Sequence, residues 1–386
     1  MIKKFSTVYR REDKVDFIID NDKKMEWVAN FESNKFKRFF VIIDKEVNKL
    51  WGDFLKKRLE KHNKDLFFFE IDPTEQSKSL NFYPNLVNFL EVHKCNLADL
   101  VLAIGGGIVI DLVSFTVSTY MRGLPLIMIP TTLIGQVDAS TAGKTCLNTE
   151  ESKNILGTFY YPLVSYNNIH FLKTNSKYHL RQGFSEVFKY GLIGSKRLLT
   201  LLEENGLDPL DDILMEVIRI AIEVRIKIRK KDPLVSNLGH TFGHPLEKMS
   251  NFKILHGDAI SAGTVVALNF GDKMGLISKE DVQNIIKLMK KIGLNLYLEK
   301  DINLDRWMDL MLRDKKSSVS HLNLVLICGI EKPYEKNGEI FYKVTPDTVK
   351  TFLKEFMENY DYAIKDCAAF INKDNLFYEE SNDKKH

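Results

Sequence analysis

The chain has 386 residues, too many for one ordinary hydrophobic core, so two domains are expected. Its 44% hydrophobic and 28% charged residues are those of a soluble globular protein, and a net charge of +3 calls for neither a nucleic-acid nor a membrane partner. Four scattered cysteines without a CxxC pair, no apolar signal-peptide core, and no run of roughly 18 apolar residues argue against a disulfide framework, export and a membrane span, so a cytoplasmic protein is expected.

Residues 7–20 alternate charged and apolar positions and predict an opening strand pair. Residues 38–44 form a short apolar run of the buried-strand kind, and 45–63 have helical spacing at Val47, Leu50, Trp51, Leu55 and Leu59. A strand over 66–71, a helix over about 78–93, a strand over 99–104 leading into Gly105-Gly-Gly107, a helix carrying Asp111 and a strand over 124–130 follow. Strands alternating with helices predict an α/β domain with a mostly parallel sheet, spanning residues 1–174. From about residue 175 long amphipathic segments take over, at 211–230, 256–274, 279–291 and 304–312. They predict a mainly helical second domain over 175–361, with a late strand at 322–327 and a hairpin around Lys336-Asn-Gly338. Residues 362–386 read as a surface helix and a frayed polar tail.

Five features carry chemistry. Gly105-Gly-Gly107, between strand and helix, is where an α/β sheet receives a phosphate, although a tight turn explains the glycines equally well. Asp44, Glu75 and Lys78 fall at strand C-terminal ends, the edge at which such sheets bind ligands. The polar stretch from Thr131 and Thr132 through Asp138 and Lys144 to Lys153 and Asn154, preceded by Arg122, offers cations suited to a phosphorylated substrate. Glu186 and Lys189 lie three apart on an otherwise apolar helix, either as an ion pair or with the carboxylate serving a metal. Finally, Asn237-Leu-Gly-His240-Thr-Phe-Gly-His244 and the later His256 gather three histidines in seventeen residues. His240 and His244 share a helical face, as a metal pair would, or as satisfied polar core residues.

Together these motifs resemble the dehydroquinate synthase family of sugar-phosphate cyclases over residues 41–330. The resemblance rests on Gly105-Gly-Gly107 with Asp111, Thr119-Tyr-Met-Arg-Gly123, Pro130-Thr-Thr-Leu, Val137-Asp-Ala-Ser140, Gly143-Lys-Thr145, Lys153-Asn154 and Gly157-Thr-Phe-Tyr160. It continues through Glu186-Val-Phe-Lys-Tyr-Gly191, Gly239-His-Thr-Phe-Gly-His244, His256-Gly-Asp-Ala259 and Asp314-Lys-Lys316. The resemblance implies an N-terminal nucleotide-binding domain, a helical metal-binding domain, an active site between them and a homodimer. It implies that Glu186, His240 and His256 bind a divalent ion, zinc or cobalt, and that His244 faces the substrate. Asp44, Glu75, Lys78, Gly105, Gly106, Gly107, Asp111, Thr131, Thr132 and Asp138 match positions that bind NAD. Lys144, Lys153, Asn154, Lys189, Arg225, Asn237, His244 and Lys315 match substrate positions, and Arg122 one that reaches a partner subunit's phosphate. The implied chemistry is transient oxidation by NAD, β-elimination of phosphate, re-reduction, and intramolecular aldol closure of a carbocycle.

The chain departs from that pattern at the substrate's carboxylate. Only Pro233-Leu-Val-Ser separate Asp232 from Asn237, a shortened loop that lacks the family's usual arginine, and Arg225 replaces its usual lysine. Ile110, Ala139 and Pro245 are further departures. The expected function is therefore a cyclase acting either on 3-deoxy-arabino-heptulosonate 7-phosphate or on the carboxylate-free sedoheptulose 7-phosphate. The rivals are a metal-dependent polyol dehydrogenase, which would release NADH, and a degenerate regulatory homologue.

Overall fold

The computed structural model describes residues 13–360 apart from 142, 150–152, 233, 252 and 314–319. Lys315, the tail over 362–386 and the first part of the expected opening strand pair lie outside the described residues. Contacts divide the chain into two units. One runs to Thr131 and resumes over Gly143–Asn168; the other takes Thr132–Ala142 and the chain from Ile169. The sequence expectation of one boundary at 174/175 differs from this, because the stretch from Thr132 belongs with the later helices.

The first unit is built on β1 (Asp16–Asp20), α1 (Glu26–Asn30), β2 (Arg38–Asp44), α2 (Lys45–Leu59), β3 (Asp65–Ile71), α3 (Tyr83–Val92), β4 (Leu100–Gly105), α4 (Gly107–Thr119) and β5 (Leu126–Pro130). It continues with β6 (Lys144–Leu147), β7 (Leu156–Phe159) and β8 (Val164–Asn168). Six strands pair in the order β1-β8-β5-β4-β2-β3, and every pairing is parallel. Phe39–Ile43 of β2 and all of β4 are buried, which is why they read as unbroken apolar runs rather than alternating ones. The chain order reverses between β2 and β4, and there the carboxyl ends of the two strands carry Asp44 and Gly105 side by side. A Cβ on Gly105 would come within 2.8 Å of Val109 Cβ and 3.0 Å of Asp44 Cβ, so only glycine fits this switch point.

Of the expected opening strand pair, residues 16–20 form a strand, and it adds in parallel to β8, a strand that apolar patterning does not reveal. Its Asn167 and Asn168 are buried and hydrogen-bonded, Asn167 to the Ile18 carbonyl at 3.2 Å and Asn168 to the Tyr166 hydroxyl at 3.0 Å. Part of the polar stretch after Thr131 is regular: Gly135–Ala139 form a π-helical turn, and β6 pairs antiparallel with β7.

The second unit holds α5 (Lys177–Gly194), α6 (Lys196–Asn205), α7 (Asp211–Lys231), α8 (His240–Met249), α9 (His256–Lys273), α10 (Lys279–Lys291) and α11 (Leu304–Leu312). It ends with β9 (Leu322–Leu324), β10 (Tyr342–Val344) and α12 (Pro346–Asn359). The late strand is shorter than expected and pairs antiparallel with β10. The turn at Asn337 and Gly338, both at positive φ, closes a small bridge between Lys336 and Glu339. Among the described residues, no helix is long and apolar enough to cross a membrane. The fold is thus α/β with a parallel sheet, followed by a mainly helical part.

Candidate active site

In the first unit, the Gly105–Gly107 turn delivers α4, with Gly106 as its N-cap residue in extended backbone. Asp44 caps α2, its carboxylate accepting from the Glu46 N–H at 2.9 Å and the Val47 N–H at 3.2 Å, and burial raises its pKa. Thr131 N–H donates to the Gly105 carbonyl at 3.0 Å. Lys78 donates to Asp111, one turn into α4, and both are largely buried; burial opposes the Lys78 charge, but Asp111 outweighs it and holds the ammonium well above its usual range.

The β6–β7 hairpin brings the polar stretch to this pair. The Asn148 amide donates to Glu75 Oε2 at 2.8 Å and to the Glu75 carbonyl at 3.3 Å, while Lys153 lies 3.0 Å from Glu75 Oε1. Burial would raise the Glu75 pKa, but Lys153 and Lys78 lower it. Asn154 is held by its N–H on Asn148 Oδ1 at 3.0 Å, and its own Oδ1 accepts from the Cys146 thiol at 3.2 Å. The Asn148 N–H donates to the Lys78 carbonyl at 2.9 Å, so Glu75, Lys78, Asp111, Lys153 and Asn154, scattered over 80 positions of sequence, form one connected polar cluster. Asn148 links its parts, a role that no sequence motif marks. Arg122 is exposed and sits at φ 66 directly after Met121 at φ 48, so two consecutive non-glycine residues occupy the left-handed region.

In the second unit, α5 is buried on all sides from Arg181 to Ile193, so each polar side chain on it needs a partner. Glu186 divides its two oxygens. Oε2 accepts from Lys189, the ion pair that the spacing suggested. Oε1 is buried and has no hydrogen-bonded partner among the described residues, yet lies 3.3 Å from His256 Nε2 and 3.9 Å from His240 Nε2. The ion pair is therefore formed by one oxygen, and the other is left facing the two histidines.

The histidine rings are oriented from behind. His240 Nδ1 lies 3.1 Å from the Leu238 carbonyl, and His256 Nδ1 lies 3.1 Å from Glu247 Oε2, which turns each Nε2 towards Glu186. Burial, reinforced by Lys189, depresses the His240 pKa far below its usual range, which keeps this ring neutral. Burial opposes charge on His256 too, but Glu247 and Glu186 outweigh it and push the pKa up to about 9. One ring nitrogen from each of His240, His244 and His256 falls within 4.8 Å of the others. Pro245 withholds the N–H that would reach Thr241, but α8 runs through it to Met249 and keeps His244 in the group. A buried carboxylate oxygen facing imidazole nitrogens is a donor set that fits a divalent cation such as zinc. Glu247 escapes sequence reasoning, although it follows His244 in the same helix.

Asp138 falls in this unit. Its Oδ1 accepts from the Tyr190 hydroxyl at 2.6 Å and from Arg225 Nε at 2.9 Å. Burial opposes ionisation, but Arg225 and Lys189 hold the carboxyl well below its usual range. Thr132 Oγ1 accepts from the Gly135 N–H at 3.1 Å, and Asn237 donates to the Leu234 carbonyl at 2.9 Å.

Family models described as 3-dehydroquinate synthase N-terminal and 3-dehydroquinate synthase C-terminal match residues 68–182 and 183–317. The chain belongs to the 3-dehydroquinate synthase family. A 3-dehydroquinate synthase of Aliivibrio fischeri (strain MJ11) is 37% identical over 304 residues, 76% of this chain and 84% of that one. The 2-epi-5-epi-valiolone synthase of Streptomyces hygroscopicus subsp. jinggangensis 5008, solved with NAD+ and Zn2+, superposes with TM-score 0.81 at 24% identity over 92% of this chain and all of that one. A 2-deoxy-scyllo-inosose synthase solved with carbaglucose-6-phosphate, NAD+ and Co2+ gives TM-score 0.80 at 22% identity, covering 88% of this chain and 96% of that one. The two structures share the fold of the 3-dehydroquinate synthase family member described here.

Proposed function

We propose that this protein is an NAD- and divalent-metal-dependent sugar-phosphate cyclase, a carbon–oxygen lyase that converts a heptulose 7-phosphate into a carbocycle. The observation that carries the reading is the approach of His240 and His256 Nε2 to the buried Glu186 Oε1, beside the Lys189 ammonium. The NAD+ and Zn2+ or Co2+ bound by the two solved cyclases support it. When bound, NAD supplies reversible hydride acceptance and the ion supplies Lewis acidity at the carbon being oxidised. Glu186, His240 and His256 would hold the ion. Asp44, Glu75, Lys78, the Gly105–Gly107 turn, Asp111, Thr131, Thr132 and Asp138 would hold the dinucleotide.

The remaining residues act on the sugar phosphate. Lys144, Lys153 and Asn154 are assigned to the phosphate, where their positive charge and amide stabilise the group as its C–O bond breaks. Lys189, Asn237 and Lys315 are assigned to the sugar, His244 to the substrate and its phosphate, and Arg122 to the phosphate in the partner subunit of a homodimer. Arg225 is the residue that bears on substrate choice. Its charge is matched by Asp138, and the loop before Asn237 lacks a second arginine, which favours the carboxylate-free sedoheptulose 7-phosphate. The 37% identity to a 3-dehydroquinate synthase favours 3-deoxy-arabino-heptulosonate 7-phosphate.

Incubating the metal-loaded protein and NAD with each sugar phosphate, while following free phosphate and NADH, tests the proposal. Phosphate released over many turnovers without net NADH supports a cyclase and names its substrate. Accumulating NADH would replace it with a polyol dehydrogenase, and cofactor binding without turnover with a regulatory homologue.

A further inference from the structure

We infer that Arg181 and Asp258, neither of which belongs to the candidate metal site, are positioning residues that set the separation of Glu186 and His256. The inference rests on the metal reading of that site. Glu186 is carried by α5 and His256 opens α9, so the distance between them depends on how these two helices seat against each other.

The seat consists of buried polar contacts within about five residues of each ligand. Arg181 Nε and Nη2 each donate to one oxygen of Asp258 at 3.0 Å, a two-bond fork in which both side chains are buried. The Asp258 N–H donates to Gln182 Oε1 at 2.9 Å, and Ser261 Oγ lies 2.9 Å from Ser185 Oγ. Between these contacts the backbones touch: a Cβ on Gly257 would fall 2.4 Å from the Gln182 carbonyl oxygen and 2.5 Å from its Cα. Gln182 and Glu186 stand in one i,i+4 row of α5, and Gly257 follows His256 directly, so a shift at the seat moves the two ligands relative to each other.

Energy gives this arrangement its meaning. A buried ion pair contributes little net stability compared with apolar residues of similar size, because desolvation offsets the attraction. What the fork does supply is a fixed distance and orientation, which a metal site needs and a packed helix pair does not.

The double variant Arg181→Met, Asp258→Leu replaces the pair by apolar groups and tests the inference, with Gly257→Ala alongside it in case the double variant does not fold. Cobalt(II) affinity by chelator competition and the cobalt(II) visible absorption spectrum are measured on each protein, with the metal-free melting midpoint as control. The expected result is a metal-free midpoint near that of the wild type for the double variant and a lower one for Gly257→Ala, whose Cβ meets backbone, with cobalt(II) bound about 10- to 100-fold more weakly by each and its absorption bands shifted. Wild-type affinity and spectrum in either folded variant would overturn the positioning role. A wild-type protein that binds no cobalt(II) would overturn the metal reading instead.

Discussion

His256 Nδ1 lies 3.1 Å from Glu247 Oε2, and this contact from behind the ring decides which nitrogen His256 turns towards Glu186. A carboxylate behind a ligating imidazole fixes its tautomer and raises its basicity. Glu247→Gln keeps a hydrogen-bonding side chain but removes the charge. Metal affinity measured by chelator competition is expected to fall about 10-fold, and about 100-fold for Glu247→Ala.

Ligand and substrate roles separate by measurement. Glu186→Gln and His240→Ala are expected to weaken metal binding more than about 100-fold, beyond the effect of an orienting residue. His244→Ala is expected to keep its metal and lose about 100-fold in kcat/KM, as the loss of a group acting on the substrate would. A His244→Ala protein that arrives metal-free would instead place this third ring among the ligands.

The thiols give a pH prediction. Burial pushes Cys95 up to about 12, with Asp99 adding to the effect, and burial with Asp111 does the same for Cys146. A raised thiol pKa favours the neutral form, so at pH 8 each is thiolate only at about 1 part in 10,000, against about a quarter for an ordinary thiol. Iodoacetamide at pH 8, read by peptide mass spectrometry, is expected to modify the exposed Cys328 well before either. Modification of Cys95 and Cys146 should rise about tenfold per pH unit up to their pKa. Equal rates at all three would contradict the burial described.

Gly239 precedes His240 at φ +78, and a Cβ there would stand 2.4 Å from Thr264 Oγ1 and 2.9 Å from the Ile260 carbonyl. Gly239→Ala combines left-handed strain of about 1–2 kcal/mol with that overlap, so a loss of at least about 2 kcal/mol is expected in chemical denaturation. Metal affinity should fall with it, because α8 begins at His240. A stable variant with wild-type metal affinity would show that this entry to α8 has slack.

What was legible in the sequence was local. The β2 and β4 runs, the glycine turn between β4 and α4, and the helices over Lys279–Lys291 and Leu304–Leu312 follow from apolar periodicity and glycine, which neighbouring residues express on their own. The resemblance also singled out Glu186, His240 and His256, because a family motif is a local pattern too. Tertiary structure alone decided the rest. It paired β1 with β8, whose buried asparagines break the apolar signal. It drew Asp138 to Arg225, 87 positions away, and Arg181 to Asp258, 77 positions away. It also gave one oxygen of Glu186 to Lys189 and turned the other to the histidines. Such choices depend on which charge a buried carboxylate meets once its water is gone, and sequence spacing carries no record of that.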